Sequence, residues 1–457
     1  MNKGTFFDLS DKIKSSKFAR FFERKVPQKL IQRLSNDGLP LVIASILVGL
    51  LSVLYELMFE WGEKLSIKIY NFNPHIFWIL SPLTFFLSFY IIRNYSKFSN
   101  GSGIPQLLAA IDLSDSPKKG ILNKLLGLKV ILVKIASSLI LLIGGGSIGR
   151  EGPTLQISGS IFQLVSRLFS KTKKIDLKTM LITSGASGLA AAFNTPLGGI
   201  VYVVEELSKS HINKLRVPVF TAVIFAGFTA QFFMGPYLFL GFPKTQTLPL
   251  NLIPLGFGLA ILGGIFGSLL SLFVLKIFTM SGKFQNPYVI PVILGLLFAA
   301  LLINTGQETL GTGKPLINRI LFNANHDLPW YTFPGRFLGS LFSFSSGGAG
   351  GIFATSLSSG AALGNWIASY FDISTGNHNL LVLMTMIAFL TGVTRTPFTS
   401  SILVLEMTDR HSAIFFFLMA GIIAQFASER ILRKPFYEIL KERILAGFEK
   451  SKPQVNS

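Results

Sequence analysis

Apolar residues in this chain come in long unbroken runs rather than in the half-polar periodicity of a soluble helix. LPLVIASILVGLLSVLYEL (39–57), VILVKIASSLILLIGGG (130–146) and LIPLGFGLAILGGIFGSLLSLFVL (252–275) are each long enough to cross about 30 Å of hydrocarbon as helices. Ten or more such runs can be counted, several short or cut by Gly and Pro. The pattern predicts an all-α polytopic membrane protein whose core, residues 39–437, contains broken intramembrane helices. Polar positions gather at the two ends. Residues 1–38 read as a cytoplasmic amphipathic segment, with Phe18, Phe21, Phe22, Leu30 and Ile31 spaced among lysines and arginines. Residues 438–457 read as a short cytoplasmic tail, too small for a regulatory domain.

Composition agrees with the pattern: 50% of residues are hydrophobic and 14% charged, with a mean hydropathy of +0.54. The net charge of +20 changes the picture only at the ends. Nine Lys or Arg in residues 1–37 oppose four acids, and seven in 429–457 oppose four. Basic segments beside spans favour the cytoplasm, so both termini are expected there, on the inner face of the cell membrane and against anionic lipid. The tails lack the stacking aromatics and motifs of nucleic-acid binding. The N-terminus has no short apolar stretch with a cleavage site, so no signal peptide is expected. With no cysteine, disulfides, zinc thiolates and iron–sulfur clusters are excluded, and no cofactor or metal is expected.

The core repeats itself. A shift of 201 positions aligns Gly149 with Gly350, Thr154 with Thr355, Ser158 with Ser359, Gly159 with Gly360, Thr195 with Thr396, Pro196 with Pro397 and Glu205 with Glu406. A shift of 210 pairs GSGIP (101–105) with GTGKP (311–315). Two homologous halves follow, about 40–215 and 250–437. Duplicated halves with glycine-broken helices mark ion pathways, because the broken ends leave backbone groups free near the midplane.

Three breaks each precede a helix-compatible run: GSGIPQLLAA at 101, GREGPTLQIS at 149 and GGIFATSLSS at 350. Pro105 and Pro153 suit the first turn of the helix that follows. Each helix would aim free N–H groups and its positive dipole end at one region, giving an anion site with no fixed lysine in the path. A full positive charge there would hold the anion too tightly to release it. The plainer reading is that these glycines only let helices pack closely.

GSGIP, GREGP and GGIFA in this order, with a late Tyr437 in KPFYEIL, resemble the CLC chloride channel and transporter family over about residues 40–443. The resemblance implies inverted halves, a homodimer with one pathway per subunit, and chloride and protons as the transported partners. It implies a central chloride site made by the Ser102 hydroxyl, the Tyr437 phenol and the amides of Ile352 and Phe353. An outer anion site would form from amides around Arg150, Glu151, Gly152, Phe353 and Ala354. Glu151 resembles the gating glutamate, which when ionised occupies the outer site in place of chloride. Glu206 resembles the inner glutamate that hands in protons, and Lys134 a lysine that tunes the local potential.

Each residue also has an ordinary structural reading. Ser102 could be a helix N-cap, Tyr437 an interfacial anchor, Glu151 half of an ion pair with Arg150, and Lys134 a snorkelling residue. Glu205, repeated as Glu406, suggests a helix-end role. Gln106 and Leu108 stand where some exchangers are acidic, and Thr355 stands where proline often follows GGIFA, although Thr can cap a helix. Having both Glu151 and Glu206 favours chloride–proton exchange; the alternative is a passive voltage- or pH-gated chloride channel. Ser102 argues against the nitrate-preferring and fluoride branches. His75, His211, His326, His378 and His411 sit at segment ends or in loops, which leaves an intramembrane hydrolase poorly supported.

Overall fold

A computed structural model describes residues 38–115, 119–169, 175–207, 212–235, 238–323 and 328–450. The amphipathic segment expected over 1–38 lies outside these residues except for Gly38. The described chain is helical, and its only extended pairings are two isolated bridges. A first series comprises α1 (Leu39–Phe72), α2 (Phe77–Tyr95), α3 (Ile104–Leu113), α4 (Lys119–Leu125), α5 (Leu128–Ile143), α6 (Glu151–Leu168), α7 (Leu177–Phe193), α8 (Pro196–Tyr202) and α9 (Ile212–Met234). A second comprises α10 (Ile253–Ser281), α11 (Val289–Thr305), α12 (Lys314–Phe322), α13 (Thr332–Ser345), α14 (Phe353–Ala368), α15 (Thr375–Thr394), α16 (Pro397–Thr408) and α17 (Ile414–Glu429). A last helix, α18 (Phe436–Lys450), follows.

The duplication extends to backbone angles. α7 ends on Asn194 at φ 56°, and α15 ends on Arg395 at φ 61°, 201 positions later. Thr195 (φ −124°, ψ 82°) and Thr396 (φ −120°, ψ 76°) then lead into the Pro-initiated helices α8 and α16. These two helices cap each other. Glu205 accepts from the amides of Phe398 (3.1 Å) and Thr399 (2.7 Å), and Glu406 accepts from those of Leu197 (3.0 Å) and Gly198 (2.6 Å). Each carboxylate, at the C-terminal side of its own helix, meets the N-terminus of the other, so the helices run antiparallel. Reciprocal contacts between equivalent residues are the mark of a two-fold relation.

Seven described stretches are long and apolar enough to span, among them α1, which at 34 residues is about 51 Å long. The others are short, such as the ten-residue α3, or are polar interior helices. α6 and α14 are lined with Ser, Thr and Gly and are buried almost throughout. A helix wrapped by other helices needs no continuous apolar surface. Gly264 of α10 and Gly392 of α15 bring the two backbones together, since a Cβ on Gly392 would lie 3.0 Å from Gly264 Cα.

The C-terminal boundary also differs from expectation. The stretch read as a polar tail from 438 is largely helix: α18 runs to Lys450 and packs on α3. Lys441 ties it down through Asp112 (2.9 Å) and Glu438 (3.0 Å). Burial pulls the Lys441 ammonium down, but these carboxylates outweigh it and hold it above the usual lysine value. Phe448 stacks on Phe98 with ring centroids 4.9 Å apart.

Candidate functional site: three helix starts on one glycine knot

The three breaks meet and are stitched by backbone hydrogen bonds. Gly101 N–H donates to Gly348 O at 2.8 Å, and Gly350 N–H donates back to Gly101 O at 3.1 Å. Gly149 and Gly351 exchange two bonds, at 2.8 and 2.6 Å. A side chain on Gly351 would crowd the Gly152 amide at 3.0 Å. From this knot start α3, α6 and α14, and their preceding residues Gly103, Arg150 and Ile352 make no side-chain cap. The first turns of three helices therefore start from one knot without a side-chain cap from the residue before them, and their dipoles add there.

Ser102 and Tyr437 are brought together. They are 2% and 1% exposed, and the phenol lies toward the serine hydroxyl and interacts with it. The Tyr437 ring is 6.4 Å from that of Phe353. Tyr437 is thus interior rather than an interfacial anchor, and Ser102 makes no N-cap bond. Gly152 closes the same space: a Cβ there would strike Ser102 Oγ. Buried hydroxyls beside helix-start amides suit a weakly hydrated anion.

Glu151 is 1% exposed, and its carboxyl turns back to its own amide and that of Ala354. A Cβ on Gly149 would strike Glu151 Oε2, so that glycine leaves the carboxyl its room. The pairing of Arg150 with its neighbour Glu151 is corrected: its guanidinium meets Glu56 Oε1 of α1 at 2.6 Å. Sequence reasoning missed Glu56, whose only signal was a carboxylate inside an apolar run.

Lys134 does not snorkel. It is fully buried in α5 and donates to the carbonyls of Ser99 (2.9 Å), Asn100 (3.3 Å) and Gly101 (2.8 Å), gripping the loop that carries Ser102. A second cation, Arg336 of α13, grips the matching loop of the other half through Thr309 O (3.1 Å), Leu310 O (2.9 Å) and Gly311 O (3.2 Å). Arg336 was not singled out in the sequence, although it lies 202 positions after Lys134. Its guanidinium also donates to Ser358 Oγ of α14 at 2.8 Å. Thr355 does not cap α14; its hydroxyl donates to Ile352 O at 3.2 Å, and the helix still starts at Phe353. Gln106 donates to Asn100 O at 2.9 Å and bracing, not acidity, is its contribution.

Two cavities reach the knot and share no lining residue. One, about 470 Å³, is bordered by Glu56, Glu60, Glu63 and Lys314 and ends on Arg150 and Glu151. The other, about 550 Å³, is bordered by Lys97, Lys124, Arg443 and Phe448 and ends on Gly101 and Ser102. Glu206 lies apart from both, half-buried in a π-helical turn, Val203–Leu207, that continues α8.

The family pattern described as voltage gated chloride channel matches residues 83–429. The chain is 29% identical to the H(+)/Cl(-) exchange transporter ClcA of Klebsiella pneumoniae, with 94% of each chain covered. It is 30% identical to the ClcA of Citrobacter koseri over 91% of this chain and 92% of that one. Its fold is similar to a slow cyanobacterial Cl−/H+ antiporter (TM-score 0.74, 25% identity, 89% of this chain and 98% of that one). A CLC-type fluoride/proton antiporter shares the fold at TM-score 0.73 and 20% identity, covering 88% of this chain and 97% of that one.

Proposed function

The chain belongs to the voltage gated chloride channel family, and from that premise we propose that it exchanges chloride for protons across the cell membrane. The observation that carries this reading is the pair of cavities stopped on either side of the glycine knot, one at Glu151 and one at Ser102. Chloride would cross by resting on the Ser102 and Tyr437 hydroxyls with the Ile352 and Phe353 amides. It would then pass to an outer site of amides at Arg150, Gly152 and Ala354, where the Glu151 carboxylate takes its place. Protonated, Glu151 loses its attraction for those amides and swings out; ionised, it returns and closes the path. Glu206 would supply protons from the inner side. The relatives are transporters by name, and exchange rather than passive conduction is what those names support.

The finer arrangement belongs to the same reading. Both termini face the cytoplasm, so the cavity beside α18 is the inner one. Two subunits pair in the bilayer with one pathway each, since a single chain already holds all three breaks and both cavities.

Glu205 and Glu206 separate function from scaffold. In proteoliposomes Glu206→Gln is expected to move chloride without protons, whereas Glu205→Ala loses a helix cap, costs about 1–2 kcal/mol and stays coupled. Proton transport persisting in Glu206→Gln would refute the role given to it.

A further inference from the structure

A third cavity, about 520 Å³, opens where the ends of α2 and α10 meet the start of α11, and its lining carries two cations and no carboxylate. The cations are Arg93 and Lys97. Both are exposed, and among the described residues neither forms an ion pair. Lys434 and Lys441, by contrast, meet Glu442 and Asp112. Arg93 is nonetheless held in place: its guanidinium lies over the Tyr288 ring at 5.8 Å, and Phe89 of the cavity wall packs edge-on against the same ring. Stacking of this kind holds a guanidinium by its face and leaves its N–H fork for an oxyanion. Asn100 and Gln285 bring side-chain amides, while Phe278 and Ile290 make the wall apolar.

The cavity lies on the same side of the molecule as the one ending on Ser102, since the two share Lys97, Asn100 and Phe278. Tyr90 and Tyr95 on the last turns of α2, and Phe284 between α10 and α11, are exposed at this level. Both α2 and α10 belong to stretches long and apolar enough to span. Tyrosines and long cations at the ends of such spans mark the headgroup layer of a bilayer. A soluble anion gains nothing from apolar walls, whereas a lipid headgroup arrives with acyl chains that do.

We propose that this cavity holds the phosphate of an anionic lipid, with Arg93 and Lys97 on its oxygens and Asn100 and Gln285 on the rest of the headgroup. Basic pockets between spanning helices recognise headgroups of this class. The site also adjoins the pathway. Asn100 precedes Gly101, Gly347 precedes Gly348, and Gly101 N–H donates to Gly348 O at 2.8 Å, so an occupant touches both strands of the knot. Ordering those strands pre-organises the loop that carries Ser102, and chloride binds more tightly there. This last consequence rests on the chloride reading above; the lipid site does not.

The test is native mass spectrometry of the full-length protein in detergent, titrated with phosphatidylglycerol or phosphatidylcholine of the same acyl chains. It compares the parent, the double variant Arg93→Gln with Lys97→Gln, and Lys129→Gln, whose ammonium lies over Tyr95 at 6.0 Å and outside the cavity. All three positions are exposed, so the variants are expected to fold. The parent is expected to hold phosphatidylglycerol at least about tenfold more tightly than phosphatidylcholine. The double variant should lose that preference and Lys129→Gln should keep it. A preference that survives in the double variant, or falls equally in Lys129→Gln, overturns the site. Inorganic phosphate that displaces phosphatidylglycerol at equal concentration makes the occupant a soluble anion and overturns the lipid assignment. Calorimetric chloride binding should be tighter in phosphatidylglycerol than in phosphatidylcholine nanodiscs for the parent, with no difference for the double variant. Equal chloride affinity in the parent overturns the coupling to the knot and leaves the lipid site standing.

Discussion

Arg150 and Glu56, on different helices, form an ion pair at 2.6 Å, and Arg150 therefore faces α1 rather than the glutamate beside it in the chain. The pair is almost fully buried, with side chains 5% and 11% exposed, and it borders the cavity that ends on Glu151. It fixes the residue immediately before Glu151 while leaving the Glu151 carboxyl turned to backbone amides.

Glu56→Gln removes one charge of that pair and leaves the other in place. A buried pair broken this way costs about 3–5 kcal/mol. Thermal inactivation in detergent should shift to lower temperature, and chloride flux should slow as the start of α6 loosens. A variant with parental stability would show that the pair contributes nothing.

Lys134 and Arg336 grip equivalent loops, but only the first loop carries Ser102, the proposed chloride ligand. Lys134→Met leaves three carbonyls without their donor, and relief from burying the ammonium limits the net loss to about 2–4 kcal/mol. Calorimetric chloride binding should weaken about tenfold or more, because Ser102 follows the freed carbonyls directly. Arg336→Met should destabilise comparably and weaken binding less, through its tie to Ser358 on α14.

Gly149 and Gly152 hold space for two different groups. Gly149→Ala places a methyl where the Glu151 carboxyl rests, so chloride flux should rise and the proton-to-chloride ratio should fall, in part reproducing Glu151→Ala. Gly152→Ala instead strikes Ser102 Oγ, so equilibrium chloride binding should drop at least about tenfold by calorimetry. A rise in flux from one alanine and a loss of chloride binding from the other, three residues away, distinguish this geometry from a general softening of the break.

The breaks themselves were legible in the sequence, because Gly and Pro at a helix start have a backbone reason that survives any fold. The meeting of Ser102 with Tyr437 was legible through motif order. The ion pair of Arg150 was not, since sequence adjacency suggested Glu151 and nothing local points to a carboxylate on α1. Arg336 stayed hidden because Lys and Arg were not compared across the halves, and its loop obeys a shift of 210 while the residue itself obeys 202. Helix α18 was missed for a related reason: mean hydropathy detects lipid-facing surface, whereas α18 is held by ion pairs and by Tyr437 reaching inward.

The most direct measurement is a proton flux driven by chloride alone. Purified protein in chloride-loaded liposomes, placed in low-chloride buffer with the outside pH recorded, should release chloride and take up protons against their own gradient when the membrane potential is clamped near zero. Uptake should vanish in Glu151→Ala while chloride efflux continues. Chloride efflux from the parent protein with no movement of protons would contradict exchange and make the pathway a channel.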